Sequence, residues 1–386
     1  MPPRVRRLLA MVVVPLAVAT LVGLAVLWPR RPLPSRPSNL GAPVELETGT
    51  VTRVQRMPCG RGSPETCLTA SVRLTSGPDK GQITQLELSM GPGNPALERG
   101  DRIVVGRTAD QSLGNLYYFS DYQRRAPLLI LALGFAVIVI AVGRLRGLTA
   151  LVGLAITFAV LVKFVLPAVL EGKSPLAVAV VGSAAAMFVI MYLAHGVNAL
   201  TTTALLGTLA SLAIIGLLAS AFVQLANIVN LGSEEATFLQ LSASQVNLRG
   251  LLLGGIIIGS LGVLNDVTVT QASAVWALRA ANPSWGPRRL YHSAMRIGRD
   301  HIASVVDTLV LAYAGASLPL LLLFTLASRP VGDVLTGELV AEEIVRSMVG
   351  SIGLVASVPI TTALAALVAA QVREHGKGAR PSEAPG

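Results

Sequence analysis

The stretch that decides the fold reads Leu248-Arg-Gly250-Leu-Leu-Leu-Gly254-Gly255-Ile-Ile-Ile-Gly259-Ser-Leu-Gly262-Val-Leu-Asn265-Asp266-Val-Thr268-Val-Thr270-Gln271-Ala-Ser-Ala-Val-Trp276-Ala-Leu278. As one helix its roughly 30 residues extend about 45 Å, well beyond the ~30 Å hydrocarbon layer of a bilayer. Such a helix must tilt strongly, emerge into the cytoplasm, or break near Asn265-Asp266. A break at mid-membrane with polar groups beside it is a recurrent way to build transporter ion sites. Asp266, Thr270 and Gln271 stand at i, i+4 and i+5, a spacing expected to bring them to one face. Gly250, Gly254, Gly255 and Gly259 form two small-xxx-small pairs that let another helix approach closely, and helix packing is their favoured reading.

Seven further apolar runs surround this one, near Leu8–Leu27, Pro127–Val142, Leu148–Leu170, Leu176–Ala194, Thr201–Ala226, Ile302–Leu326 and Ser347–Ala370. The expectation is therefore a polytopic α-helical membrane protein with about eight transmembrane helices. Composition agrees: 52% of residues are hydrophobic, 13% are charged and mean hydropathy is +0.64. A water-soluble domain carries roughly a quarter charged residues. The formal charge of +10 does not call for a nucleic-acid partner, because Arg and Lys fall mainly between the apolar runs, where they set orientation. The first run follows Arg4, Arg6 and Arg7 and ends in Trp28-Pro29-Arg30-Arg31. It is too long for a signal-peptide core and reads as an uncleaved anchor. With the N-terminus inside, the inner segments hold Arg4, Arg6, Arg7, Arg144, Arg146, Arg279, Arg288, Arg289, Arg296, Arg299, Arg373, Lys377 and Arg380. The short outer loops offer Lys173, Arg249, Arg329 and Arg346. Both termini are thus expected in the cytoplasm of a plasma-membrane protein.

Residues 1–31 form the inner tip and anchor, 32–125 an extracytoplasmic domain, 126–372 a seven-helix bundle and 373–386 a disordered cytoplasmic tail. The outer segment reads as β structure. Short runs rich in Val, Leu, Ile, Thr and Tyr occur at Thr48–Val54, Leu68–Thr75, Gln82–Leu88, Arg102–Arg107 and Asn115–Phe119, parted by Gly77-Pro78-Asp79 and Gly91-Pro92-Gly93-Asn94-Pro95. Five short strands suit a small OB-like barrel. Cys59 and Cys67, the two cysteines of the chain, fall between the first two strands. On the oxidising side a disulfide is favoured, worth about 2–3 kcal/mol; two free thiols are the alternative. Two cysteines are too few for a four-thiolate metal site, and no metal or cofactor is expected.

Lys163, Asp266 and Asp307 are ionisable residues inside apolar runs. Placing each at a helix centre costs on the order of 2.5–3.5 kcal/mol, so each is a candidate site residue. Asp307, with Ser304 and Thr308 along the same helix, sits one and a half turns into its span. It is expected to face Asp266 from a neighbouring antiparallel helix, where two carboxylates would share a proton or bind a cation; a hydrated position near the interface is the alternative. Lys163 is near enough to the outer end to snorkel, or it neutralises one of the aspartates. Asn198 and the threonines after it either cap the fifth helix or line a cytoplasmic mouth, capping being favoured. His195, Asp300 and His301 form a polar belt without ligand spacing for a metal. Arg279–Arg299, with Trp276, Trp285 and Tyr291 in or beside it, reads as an arginine-rich cytoplasmic loop against anionic lipid.

Leu261-Gly-Val-Leu-Asn265-Asp266-Val-Thr-Val-Thr270-Gln271-Ala272 resembles the signature of the YibE/F-like family of bacterial membrane proteins. So does Arg296-Ile-Gly-Arg299-Asp300-His301-Ile-Ala-Ser304, running on from Thr308 through Pro319. The outer domain with its cysteine pair is similar to the form in high-GC Gram-positive members. Members often carry two consecutive acids where this chain has Asn265-Asp266, which leaves Asp266 to carry the site. The resemblance implies membrane location and says little of chemistry.

Three functions compete. The first is a transporter or permease for a small solute or ion, with Asp266 and Asp307 as relay and Asn265, Thr270, Gln271 and Lys163 around them. The second is a non-transporting scaffold or assembly factor whose outer domain, 32–125, binds an envelope protein. The third is an intramembrane aspartyl hydrolase, which lacks the Gly-x-Gly-Asp setting associated with such proteases. No phosphate-binding loop, His-Glu-x-x-His or nucleophile elbow occurs, so the expectation is a non-enzyme embedded in the lipid bilayer, without nucleic acid.

Overall fold

The computed structural model describes residues 3–31, 45–58, 66–89, 94–110, 114–326 and 330–372. The chain divides into two compact units, Met1–Ser35 with Val142–Gly386, and Arg36–Ala141. Cys59 and the segment 373–386 lie outside the described residues.

Among its described residues the second unit holds five strands: β1 (Glu45–Pro58), β2 (Thr66–Leu74), β3 (Ile83–Ser89), β4 (Arg102–Asp110) and β5 (Gly114–Tyr122). They form one antiparallel sheet in the order β3-β2-β1-β4-β5. All five expected strands are present, most of them longer than anticipated. Alternation does the sorting: Val72, Leu74, Leu86, Leu88, Ile103 and Val105 point inward to one core, while their neighbours along each strand face out. The sheet curls into a half-barrel. β3 and β5 approach one another, but no ladder joins them among the described residues. Beneath its turn end lies a buried carboxylate. Glu47 is 3% exposed and ion-pairs with Arg107 at 3.1 Å (Nε–Oε1), and Arg107 also binds Glu45. Burial outweighs the guanidinium and pushes the Glu47 carboxyl above its ordinary range.

In the first unit α1 (Pro3–Leu27) is followed in space by α4 (Pro175–His195), with Gly23 pressed on Val181. α2 (Arg125–Val160), shared between the two units, passes through a π-helical turn at Leu161–Val165 into α3 (Leu166–Leu170). These 46 residues would reach roughly 69 Å as a straight helix, over twice the apolar layer. Arg144 interrupts them with φ 52° and ψ −133°. α5 (Ala199–Leu225), α7 (Leu248–Ala281) and α11 (Glu338–Gln371) form the centre. α4 packs on α7, and α8 (Pro287–Ala316) packs chiefly on α11. The short helices α6 (Glu234–Ser242), α9 (Leu318–Leu326) and α10 (Val331–Thr336) complete the unit.

Among the described residues six helical stretches are long and apolar enough to cross a membrane, and α8 with α9, bent by 58°, makes a seventh candidate. The eight expected runs count Pro127–Val142 and Leu148–Leu170 separately, and the backbone between them leaves helical geometry at Arg144. The α8–α9 bend falls at Ser317, two residues before Pro319, whose missing N–H and ring cannot continue a regular helix.

Two carboxylates clip loops in place. Glu338 Oε1 accepts the N–H groups of Val229, Asn230 and Leu231 at 2.9, 2.8 and 3.4 Å. Glu171 accepts the N–H groups of Arg30 and Arg31 and ion-pairs with Lys173 at 2.9 Å, while Lys173 donates to the Trp28 carbonyl. The Lys173 hydrogen bond, then the backbone donors, holds the Glu171 carboxyl below its ordinary value. The clamp is therefore complete above the ordinary glutamate range and is lost as pH falls through the depressed folded value. A spin label at Arg31→Cys should gain mobility as pH falls below the ordinary glutamate range. In a Glu171→Gln background it should be mobile at every pH.

Candidate functional site

α7 is one unbroken helix from Leu248 to Ala281, so the chain does not break at Asn265-Asp266. Asn247 caps it, accepting the Gly250 N–H at 2.9 Å. Gly250 and Gly254 lie against Pro175 and Ala179 of α4, the packing expected of small-xxx-small pairs. Gly255 and Gly262 meet nothing. The exposed side of α7 runs Gly259, Gly262, Asp266, Thr270, Ser273, spaced +3, +4, +4, +3, so one stripe of small and polar side chains follows the helix.

Gln271 does not join this stripe. It is 2% exposed, and its Nε2 donates to the Ala294 carbonyl of α8 at 3.0 Å and to Thr362 Oγ1 of α11 at 2.8 Å. An i, i+5 pair is about 140° apart on a helix, which separates Gln271 from Asp266. Asn265 is half-buried, with an enclosed Oδ1 that has no hydrogen-bond donor.

α8 begins at Pro287, so most of the presumed arginine-rich loop is helix. Leu290, Ala294 and Gly298 recur every four residues and are buried. Met295, Ile302 and Val305 pack with Val263 and Val267 of α7 and Leu354 and Val358 of α11. The Gln271–Ala294 bond and the approach of Tyr313 to Gly259 show α7 and α8 antiparallel, as expected. The carboxylates do not face one another. Asp307 lies two residues from both Val305 and Leu309, on the side of α8 turned away from this seam, and it is exposed. Arg296, Asp300, Ser304 and Asp307 form an exposed stripe at +4, +4, +3. Among the described residues neither Asp266 nor Asp307 makes a hydrogen bond or ion pair.

Lys163 is exposed within the π-helical turn, between buried Phe164 and outward Val162, and pairs with neither aspartate. Asn198 caps α5, accepting the Thr201 N–H at 2.9 Å, as anticipated. Among the described residues no three His, Cys, Asp or Glu side chains gather as metal ligands.

Sequence reasoning missed the buried hydroxyl seam between α5, α7 and α11. Thr208 and Thr268 share a hydrogen bond of 2.7 Å, Gly207 packs on Thr361, and Ser260 lies beside Gly350. Its signal was present as small and hydroxylated residues at helical spacing: Gly207, Thr208 and Ser211 on α5, and Gly350, Gly353, Ser357 and Thr361 on α11. Glu342, 6% exposed with Oε1 lacking a hydrogen bond, was also passed over because it precedes the apolar run of α11.

No curated protein and no solved structure matches the chain. The family model described as YibE/F-like protein matches residues 131–371, well over half of the 386, and spans α7, α8 and both polar stripes. The chain belongs to the YibE/F-like family.

Proposed function

We propose that this YibE/F-like chain is a transporter or permease that moves a small solute or ion along the polar stripes of α7 and α8, with Asp266 and Asp307 as a proton or cation relay. The observation that carries this reading is the exposed position of Asp266 on the apolar helix α7 and of Asp307 in the apolar half of α8, neither of them paired among the described residues. Lipid cannot solvate a carboxylate there, and such residues in membrane proteins face water-filled cavities or partners. Thr270 beside Asp266 supplies a hydroxyl on the α7 stripe, and Ser304 and Thr308 beside Asp307 supply two on the α8 stripe. The half-closed Asn265 carbonyl adds an oxygen, and Gln271 holds the helices that bear the carboxylates. Lys163 is a counter-charge nearer the outer end.

The same reading takes the break at Arg144 as the turn between two crossings and α8–α9 as one. Eight spans then place both termini in the cytoplasm of a plasma-membrane protein. The outer strand order becomes that of an OB-like barrel once β3 meets β5, and Cys59–Cys67 is taken as a disulfide there.

The test is proton and metal-ion flux in proteoliposomes for the wild type, Asp266→Asn and Asp307→Asn. Each variant should lose at least tenfold in flux while reconstituting normally. Wild-type flux no greater than that of empty liposomes, for these ions and a panel of organic solutes, would sink the transporter reading. Variants that fail to fold would make the carboxylates structural and favour a scaffold whose outer domain binds an envelope protein.

A further inference from the structure

The N-terminal half of α8 carries a row of basic residues with no ion-pair partner among the described residues. Arg288, His292, Arg296 and Arg299 stand at +4, +4, +3, all exposed. The opposite side, Leu290, Ala294 and Gly298, is buried. The row is about 16 Å long at 1.5 Å per residue. Among the described residues none of these arginines forms an ion pair. Arg279, by contrast, is consumed internally, donating to the carbonyls of Trp285 and Ala370.

The placement is unfavourable for the isolated chain. The first turn of α8 has no acid, and Gly286 supplies no side-chain cap. Arg288 and Arg289 therefore sit at the positive end of the helix dipole, where cations are disfavoured. Arg289 is held over the Trp285 ring at 4.6 Å. An amphipathic helix whose inner side is docked, and whose outer side from Arg288 to Asp300 carries four exposed arginines against the single acid Asp300, attracts an anion. The position names which one. The same helix continues from Arg299 directly into the apolar stretch Ile302–Ala316 that belongs to a membrane-span candidate, so the row meets the bilayer surface where it ends.

We propose that this face of α8 binds the phosphodiester headgroups of anionic phospholipid, holding the helix at the membrane surface beside the polar stripes. Exposed Ile297, between Arg296 and Arg299, adds an apolar contact with the lipid below the headgroup. Guanidinium groups suit this role because each offers a planar fork of donors to phosphate oxygens.

The test uses the full chain in nonionic detergent with a fluorescent short-chain phosphatidylglycerol, read by anisotropy. Unlabelled phosphatidylcholine of the same chain length should not compete, and unlabelled phosphatidylglycerol should. The triple variant Arg288→Gln, Arg296→Gln, Arg299→Gln should bind on the order of a hundredfold more weakly. Arg4→Gln, Arg6→Gln, Arg7→Gln removes the same charge elsewhere and should bind like the wild type. If the triple variant aggregates, Arg299→Gln alone should weaken binding severalfold. Equal binding by the α8 variants and the wild type would overturn the proposal. Equal loss in the Arg4, Arg6, Arg7 set would do the same, as would an RNA oligonucleotide that displaces the lipid more readily than phosphatidylglycerol does.

Discussion

Gly207→Val should collapse the centre of the helical unit. A β-carbon at position 207 would overlap the Thr361 hydroxyl and lie 3.0 Å from Thr361 Cβ and 3.3 Å from its Cγ2. Neither partner can yield easily. Thr361 is fully buried and β-branched on a helix, which restricts its rotamers. The Gly207 turn is fixed from its own side by Ser211, whose hydroxyl donates to the Gly207 carbonyl at 2.8 Å. Overpacking a filled core costs about 1–3 kcal/mol for one or two added carbons. Valine adds three, at the closest approach of α5 and α11. In detergent, the purified variant should melt at least 5 °C below the wild type or fail to purify, with Gly207→Ala in between. Adding Thr361→Ala to Gly207→Ala should recover most of the loss. Gly255→Ala, with nothing within 4 Å, should be neutral to within about 0.5 kcal/mol. Equal losses at Gly207 and Gly255 would show that helix flexibility, not contact, sets the glycine requirement.

Gly77→Ala is expected to open the β unit. Gly77 has φ +85°, a conformation that costs other residues about 1–3 kcal/mol. An added β-carbon would also overlap the carboxylate of Glu47. That carboxylate is buried and its partner is Arg107, so displacing it leaves a buried charge without its counter-ion, on top of the backbone penalty. Limited trypsin digestion of reconstituted protein, read by mass spectrometry, should find cleavage at Arg73, Arg102 and Arg107 in the variant and little in the wild type. Gly81 separates the two causes, because its φ is +94° but nothing lies within 4 Å. Gly81→Ala should show only the backbone penalty and remain largely resistant. Cleavage as rapid in Gly81→Ala as in Gly77→Ala would remove Glu47 from the explanation.

These two sites differ in how far they could be foreseen. The Gly77-Pro78-Asp79 turn stands out in the sequence because Gly and Pro dictate local backbone geometry. That its glycine must also leave room for Glu47, thirty residues earlier, depends on the register of β1 against β2. Gly207 carries no local signal at all, since it sits inside a regular helix and its importance comes from Thr361 on another one. α8 shows the opposite error. Its arginines, lying between two apolar runs, read as a cytoplasmic loop, although Leu290, Ala294 and Gly298 already mark a docked helical face.

Long apolar helices, a five-stranded β unit, and Asp266, Asp307 and Lys163 as the charges out of place can all be read along the chain one segment at a time. Hydropathy, strand alternation and turn residues are properties of a single segment, and they survive without knowledge of its neighbours. The rotation of each helix, by contrast, depends on the neighbours it packs against. In a soluble protein a polar face marks the outside, but a helix apolar on all sides has no such mark. Its orientation follows from where glycines admit a neighbour and where hydroxyls and amides find partners. That is why Gln271 turned inward to Thr362 and Ala294 while Asp266, five residues earlier, stayed outside. It is also why Asp307 faces away from the α7 seam.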